Sequence, residues 1–155
     1  MFEKLTIRSG GQTGVDRAAL DVALELGLSC TGWCPKGRKA EDGAIPERYP
    51  LKELTSTAYP DRTKQNVLDS DGTLVVMAGE MGRGTALTVD AAKEAGKPLL
   101  VLDLNVLTPE SAGQSLVDWL RRHGIRDLNV AGPRESVTNG VYARSYDFLK
   151  TIFSL

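Results

Sequence analysis

Histidine and cysteine are nearly absent from this chain of 155 residues: His123 stands alone, and Cys30 and Cys34 are the only thiols. One histidine leaves nothing from which to build a histidine-based catalytic triad. His123 lies in "RRHG", a helix C-terminus pattern in which positive groups complement the helix dipole. Two cysteines make no disulfide framework, their three-residue separation is not a standard zinc pair, and no second Cys/His pair follows. No zinc is therefore expected. An excess of charge of one sign is also missing, because nineteen basic residues face twenty acidic ones and leave a formal charge of -1. No global field draws nucleic acid or an anionic membrane to such a chain. No apolar run approaches the roughly 20 residues of a membrane span. The N-terminus, "MFEKLTIRSGG", enters a strand pattern without an apolar signal region, so the expected location is the cytoplasm and no membrane partner is expected.

What is present is ordinary in amount and specific in order. The length suits one compact domain spanning residues 1–155. "KLTIRSG" reads as a short strand ending in glycine, and Thr13 and Asp16 give a Thr-x-x-Asp start signal for the helix "VDRAALDVALELG". "LSCTGW" reads as a second strand. Residues 34–60 are rich in Pro, Gly and charge without periodicity, as in a lid, a binding loop or a segment with short local structure. "DRTKQNVLDSD" reads as a short helix, and "GTLVVMA" as a strand buried on both faces. The helix "ALTVDAAKEAG" and a further buried strand, "PLLVLDL", follow. Thr108 as N-cap and Pro109 at the first helical position open the helix that closes at Gly124. "DLNVAG" is a fifth strand, and a C-terminal helix follows Ser136. Asp71 reads as a cap and Asp90 as a solvated helix position. The alternation predicts an α/β fold with a mainly parallel sheet of about five strands and helices on both faces. Ligands of such sheets collect at the carboxyl ends of the strands.

Two glycine clusters fall where a strand hands over to a helix. Gly10, Gly11 and Gly14 form the first, with Gln12 and Thr13 between them; "GEMGRGT" forms the second, with Gly82, Arg83, Gly84 and Thr85. Bare backbone ahead of a helix N-terminus, with its unpaired N–H groups and positive dipole end, suits an anion. The first cluster departs from the dinucleotide fingerprint by placing Ser9 at the first glycine position, and basic residues precede any acid after the second strand. NAD is not expected, and no Gly-Lys-Ser/Thr ending makes a P-loop. Two such turns facing one cleft point instead to a small phosphorylated ligand.

The stretches "SGGQTGVDRAALDVAL", "GWCPKGRKAEDGAIPERYPLKE", "YPDRTKQNVLDSDGTLVV" and "GRGTALT" together resemble the family of molybdenum cofactor carrier proteins, a branch of the superfamily that includes the Lonely Guy (lysine-decarboxylase-like) proteins. The resemblance runs over nearly the whole chain. It implies a Rossmann-like three-layer fold, a ligand cleft, a homo-oligomer (dimer or tetramer), and a bound molybdenum cofactor (molybdopterin) or nucleotide. It leaves the reaction open. The Lonely Guy branch cleaves nucleoside monophosphates with a glutamate of its glycine-rich motif, and here Thr88 occupies that position. Arg62 matches the arginine of that branch before the buried strand. Three readings remain: a carrier, an enzyme acting on a nucleotide derivative, and a nucleotide-sensing module.

The candidate binding residues are Gly10, Gly11, Gln12, Thr13, Gly14, Asp16, Lys36, Arg62, Asn66, Gly82, Arg83, Gly84 and Thr85. Asp16 either meets a ligand or caps its helix. Arg62 and Asn66, four apart, share a helix face. Arg83, between two glycines, is a better phosphate partner than Lys36, Arg38 or Lys39. Trp33 offers a flat face to a ring or simply packs, and Cys34 is either a soft metal ligand or an inert thiol.

Overall fold

The computed structural model covers residues 1–155. Its first strand, β1 (Thr6–Arg8), runs directly into the first glycine cluster, and α1 (Val15–Leu26) follows. Val15, Ala18, Ala19, Val22 and Ala23 repeat at helical spacing and are all buried, which gives α1 its core-facing stripe. Gly27 stops it in the left-handed conformation, φ 70°, with its N–H returning to the carbonyls of the last turn. The expected Thr13-x-x-Asp16 start is not how the helix begins: Gly14 is the N-cap and no side chain caps it. Thr13 is diverted, its hydroxyl donating to Glu41 and accepting from the Glu135 N–H.

β2 (Ser29–Thr31) pairs with β1 and ends at Gly32, whose β-carbon would overlap the Ser9 carbonyl. The chain then leaves the sheet. The unperiodic stretch up to residue 58 contains four two-residue strands: β3 (Trp33–Cys34), β4 (Lys39–Ala40), β5 (Gly43–Ala44) and β6 (Lys52–Glu53). β3 pairs with β6 and β4 with β5. Of the three possibilities for this stretch, short local structure is the one observed. Cys34, Ala40, Ile45, Tyr49 and Leu51 close a small core against Leu20 of α1. Arg38 staples this lobe, donating to the carbonyls of Ile45, Pro46, Tyr49 and Leu51 at 2.8–3.2 Å. A planar fork with five donors is the one side chain that can gather so many carbonyls.

α2 (Tyr59–Asp69) leads to β7 (Gly72–Met77), every residue of which is buried. Its side chains alternate: Leu74 and Val76 join the main core, while Val75 and Met77 face Val89 on the other side. α3 (Arg83–Ala95) then leads to β8 (Leu99–Asp103). β8 is not the buried strand expected from "PLLVLDL". It is the outermost strand, and Val101 is 39% exposed. An unbroken apolar run does not distinguish a central strand from an edge strand, because only the topology decides which has a neighbour.

α4 (Pro109–His123) opens as expected, with the Thr108 hydroxyl accepting from the Ser111 N–H at 3.1 Å. β9 (Asp127–Ala131) and α5 (Val141–Phe153) complete the chain. Asp71 is not a helix cap, since its carboxylate accepts from the N–H groups of Arg126 and Asp127 and fixes the start of β9. Asp90 is exposed on α3, as expected. α1, α4 and α5 cover one face and α2 and α3 the other, giving three layers.

The sheet is wholly parallel, in the order β2-β1-β9-β7-β8. The last strand is inserted between the first and β7. Counted from β9 as strand one, the order becomes 3-2-1-4-5, that of a doubly wound sheet. The chain ends meet where such a recount would join them, with the Phe2 and Phe153 rings edge to face at 5.6 Å. The switch point of this order, where connections depart in opposite directions, lies between β9 and β7.

Candidate functional site

A cleft of about 480 Å3 opens at the carboxyl ends of the strands, over β9 and between α2 and α3. It sits at the switch point, where doubly wound sheets hold their ligands. Its walls come from four places. The β1–α1 loop contributes Gly10 and Gln12, and α1 contributes Asp16. α2 contributes Tyr59, Arg62, Thr63 and Asn66. The start of α3 contributes Gly82 to Thr85, Leu87 and Thr88. β9 and the loop after it contribute Asn129 to Arg134, together with Val137.

Of the thirteen sequence candidates, nine therefore line one cleft: Gly10, Gln12, Asp16, Arg62, Asn66, Gly82, Arg83, Gly84 and Thr85. Gly11, Thr13, Gly14 and Lys36 do not. A β-carbon at Gly11 would stand 2.5 Å from Leu51 and 2.9 Å from Ile45, so its bareness admits the 34–58 lobe. Gly14 has φ 79° and lies against Pro133 and Arg134. Lys36 is exposed on the lobe, its N–H donating to the Ser56 carbonyl. Trp33 and Cys34 also lie outside. The indole N–H of Trp33 donates to Asp69 at 2.8 Å, and the fully buried Cys34 thiol is pushed up by burial, which keeps it protonated and inert.

The two glycine clusters thus differ in kind. In the first, protein atoms occupy the space that the missing side chains leave, and the Val15 N–H at the start of α1 is taken by the Pro133 carbonyl. In the second, the space is open. Added β-carbons at Gly82 and Gly84 would meet only Val137 at 3.3 Å and Arg134 at 4.0 Å. No side chain caps α3, and the N–H groups of Arg83, Gly84 and Thr85 have no acceptor in the protein. Three unpaired donors at the positive end of a helix dipole attract an anion.

Three arginines surround that end. Arg83 is exposed at the rim. Arg134 reaches across from the β9–α5 loop, its guanidinium 5.6 Å from the Tyr59 ring centre, and it makes no hydrogen bond or ion pair within the protein. Arg62 is 9% exposed; one terminal nitrogen donates to the Gly10 carbonyl at 3.2 Å and lies 3.4 Å from Asp16, while the other is unpaired. Arg62 also lies over the Tyr59 ring at 5.3 Å.

Asp16 is the only carboxylate in the cleft. It is no helix cap: it accepts from the Gln12 N–H at 3.3 Å and thereby closes the first glycine loop. Burial drives its pKa up to about 6, against the opposing pull of Arg62, the Gln12 N–H, Arg17 and Arg134. Asn66 lines the cleft with its amide already engaged, accepting from the Trp33 N–H at 2.8 Å and donating to the Trp33 carbonyl at 3.0 Å. Its main service is to tie α2 to the lobe. The Thr88 hydroxyl donates to the Gly84 carbonyl in its own helix, so the position matched to the Lonely Guy glutamate carries no titratable group.

Tyr59, Thr63, Asn129 and Arg134 are the residues that sequence reasoning missed. For Arg134 a signal existed: "AGPRES" is a third strand-to-helix turn, but its single glycine formed no cluster. Glu41 fixes this loop by accepting from the Ser136 hydroxyl at 2.5 Å and its N–H at 3.2 Å, and from the Thr13 hydroxyl. Burial pushes the Glu41 carboxyl up, but those hydrogen bonds outweigh it and hold the group below the usual carboxylate range.

Fold and cleft together define a doubly wound α/β domain of the Rossmann-like class with a cleft at its switch point. Residues 7–153 match the circularly permutated YpsA SLOG family, and the chain belongs to that family. The permutation accords with the 3-2-1-4-5 order obtained by counting from β9. Among solved structures, the chain is similar to one from Syntrophus aciditrophicus SB described as "Putative molybdenum carrier protein". The identity is 44% with a TM-score of 0.93, over 95% of this chain and 93% of that one. It is also matched to (E)-4-hydroxy-3-methyl-but-2-enyl diphosphate reductase, at 11% identity and a TM-score of 0.40, over 96% of this chain and 59% of that one, a likeness that carries no argument. A search of curated proteins finds no match. No helix is long and apolar enough to cross a membrane.

Proposed function

We propose that the protein is a binding protein that carries a phosphorylated cofactor, a pterin phosphate of the molybdenum cofactor class, in the cleft between α2 and α3. The observation that carries this reading is the pairing of three unpaired N–H groups at the start of α3 with the unpaired guanidinium of Arg134. The phosphate sits there, with Arg83 at the rim. The ring lies toward the neutral hydrogen-bonding groups of Thr63, Thr85 and Asn129, because the Tyr59 ring is already attended by Lys39, Arg62 and Arg134. The name of the 44% identical relative supports molybdenum cofactor as the cargo. No cysteine, histidine or methionine lines the cleft, so the residues present fit the phosphate and the ring but offer the metal no soft ligand.

One observation favours a second reading, an enzyme acting on a nucleotide derivative: Asp16 is a cleft carboxyl that titrates near 6, in the range where acid–base groups work. Binding alone requires no such group. Native mass spectrometry of the purified protein, followed by thermal shifts with pterin phosphates and nucleotides, tests both. Retention of, or stabilisation by, a pterin phosphate supports the carrier. Stabilisation by nucleotides with no response to pterins overturns it, and release of free base from a nucleoside monophosphate establishes the enzyme.

A further inference from the structure

The proposed function leaves one polar group of the cleft unused. A site built to receive an anion has a carboxylate in its wall, Asp16, which is 7% exposed. The same Arg62 nitrogen that lies 3.4 Å from Asp16 also serves the Gly10 carbonyl at 3.2 Å, and the second terminal nitrogen of Arg62 has no partner. The charged groups facing Asp16 are Arg62 from α2, Arg17 from α1 itself and Arg134 from the β9–α5 loop, and no second carboxylate lines the cleft. Asp16 and an incoming oxyanion therefore compete for the same cations.

We propose that Asp16 is a proton-linked gate on this cleft: ionised, it holds Arg62 and opposes the ligand's charge, and it takes up one proton when a dianionic oxyanion enters. The inference rests on the phosphate-binding reading above and adds its regulation. An anion that draws Arg62 and Arg134 toward itself removes the cations that keep Asp16 ionised and brings a like charge close. Both changes favour the protonated carboxyl. Protonated Asp16 can still accept from the Gln12 N–H, so the first glycine loop keeps its closure. By linkage, what favours the proton on binding also favours binding when the proton is present. The free group already titrates near 6, so the coupling falls in the range from about pH 5 to pH 7.5.

Sulfate is the suitable probe, because it remains a dianion across that range whereas a phosphate monoester titrates near pH 6. Calorimetry of sulfate binding to the intact chain should show roughly tenfold tighter binding at pH 5.5 than at pH 7.5. Repeating it near pH 7 in two buffers of different ionisation enthalpy should show net proton uptake, a readout that needs no variant. Asp16→Asn should bind at pH 7.5 about as tightly as wild type does at pH 5.5, without slope. His123→Gln, altered at the opposite end of the sheet, should leave the slope in place. Wild-type binding that ignores pH, or a slope that survives Asp16→Asn, overturns the gate. If sulfate binds without pH dependence and Arg134→Ala abolishes it, the gate fails and the phosphate site stands. If neither sulfate nor inorganic phosphate binds at any pH, both fail.

Discussion

The N–H of Val15, the first residue of α1, donates to the carbonyl of Pro133 at 3.3 Å, so the first glycine loop is closed by another part of the protein. In the second, the N–H of Gly79 at the head of the loop donates to Asp103 at 3.2 Å, but the N–H groups of Arg83, Gly84 and Thr85 at the start of α3 have no acceptor. This difference predicts opposite outcomes for two similar substitutions. Gly14→Ala places a methyl group into the Pro133 carbonyl at φ 79° and should destabilise the fold by more than about 3 kcal/mol. Gly84→Ala, inside α3 with Arg134 4.0 Å away as its nearest neighbour, should leave stability unchanged or raise it by up to about 1 kcal/mol. Denaturant melts of the two variants check this, and equal losses would contradict it.

The cationic end of the cleft makes a binding prediction. Arg134→Ala should weaken a phosphorylated ligand by about tenfold or more, because a charge-assisted hydrogen bond contributes roughly 1.5–3 kcal/mol. Arg83→Ala, at the exposed rim, should weaken it less and make the affinity less sensitive to salt. Titration calorimetry at two ionic strengths separates the two. Unchanged affinity in both variants would remove the arginines from the site.

Arg38 predicts a local failure. Its guanidinium gathers four carbonyls that have few other partners, and a lysine cannot reproduce the fork. Arg38→Lys should cost about 2–4 kcal/mol and expose the stretch around residues 38–51 to limited proteolysis before the rest of the chain unfolds. Cleavage elsewhere first would argue against the staple.

Asp16 carries a stability signature of its own. Its folded pKa, about 6, lies above the ordinary carboxylate value, so the folded state binds more protons than the unfolded state between about pH 4 and pH 6. Stability from this group therefore falls as pH rises through that window and stays low above it. Asp16→Asn should exceed wild type by on the order of 1–3 kcal/mol at pH 7.5, and the gap should close on acidification toward pH 4. Paired melts at several pH values check the sign. A gap that widens on acidification would contradict it.

Much of this fold was legible from the chain. The α/β alternation, the Thr108 cap and the Gly124 stop of α4 are local signals, and each lies where the sequence places it. The insertion of β9 between β1 and β7 is not local, and neither is the edge position of β8; both depend on partners far along the chain. The same limit shaped the site reading. Glycine reports that a side chain is unwelcome, but not whether a ligand or Leu51 takes the space, so Gly11 and Gly84 look alike in sequence and differ in structure. Arg134 was hidden because its turn needs only one glycine, and Arg38 because four carbonyls leave no mark on the residues that own them.

On the proposed reading, the start of α3 and Arg134 form the phosphate end of a ligand cleft. The most direct measurement is titration calorimetry of a pterin phosphate and of the same pterin without its phosphate, each against wild type and Arg134→Ala. Wild type should bind the phosphorylated compound far more tightly than its dephosphorylated counterpart, and Arg134→Ala should lose most of that difference. Equal binding of the two pterins by wild type, or a preference that survives Arg134→Ala intact, would contradict it.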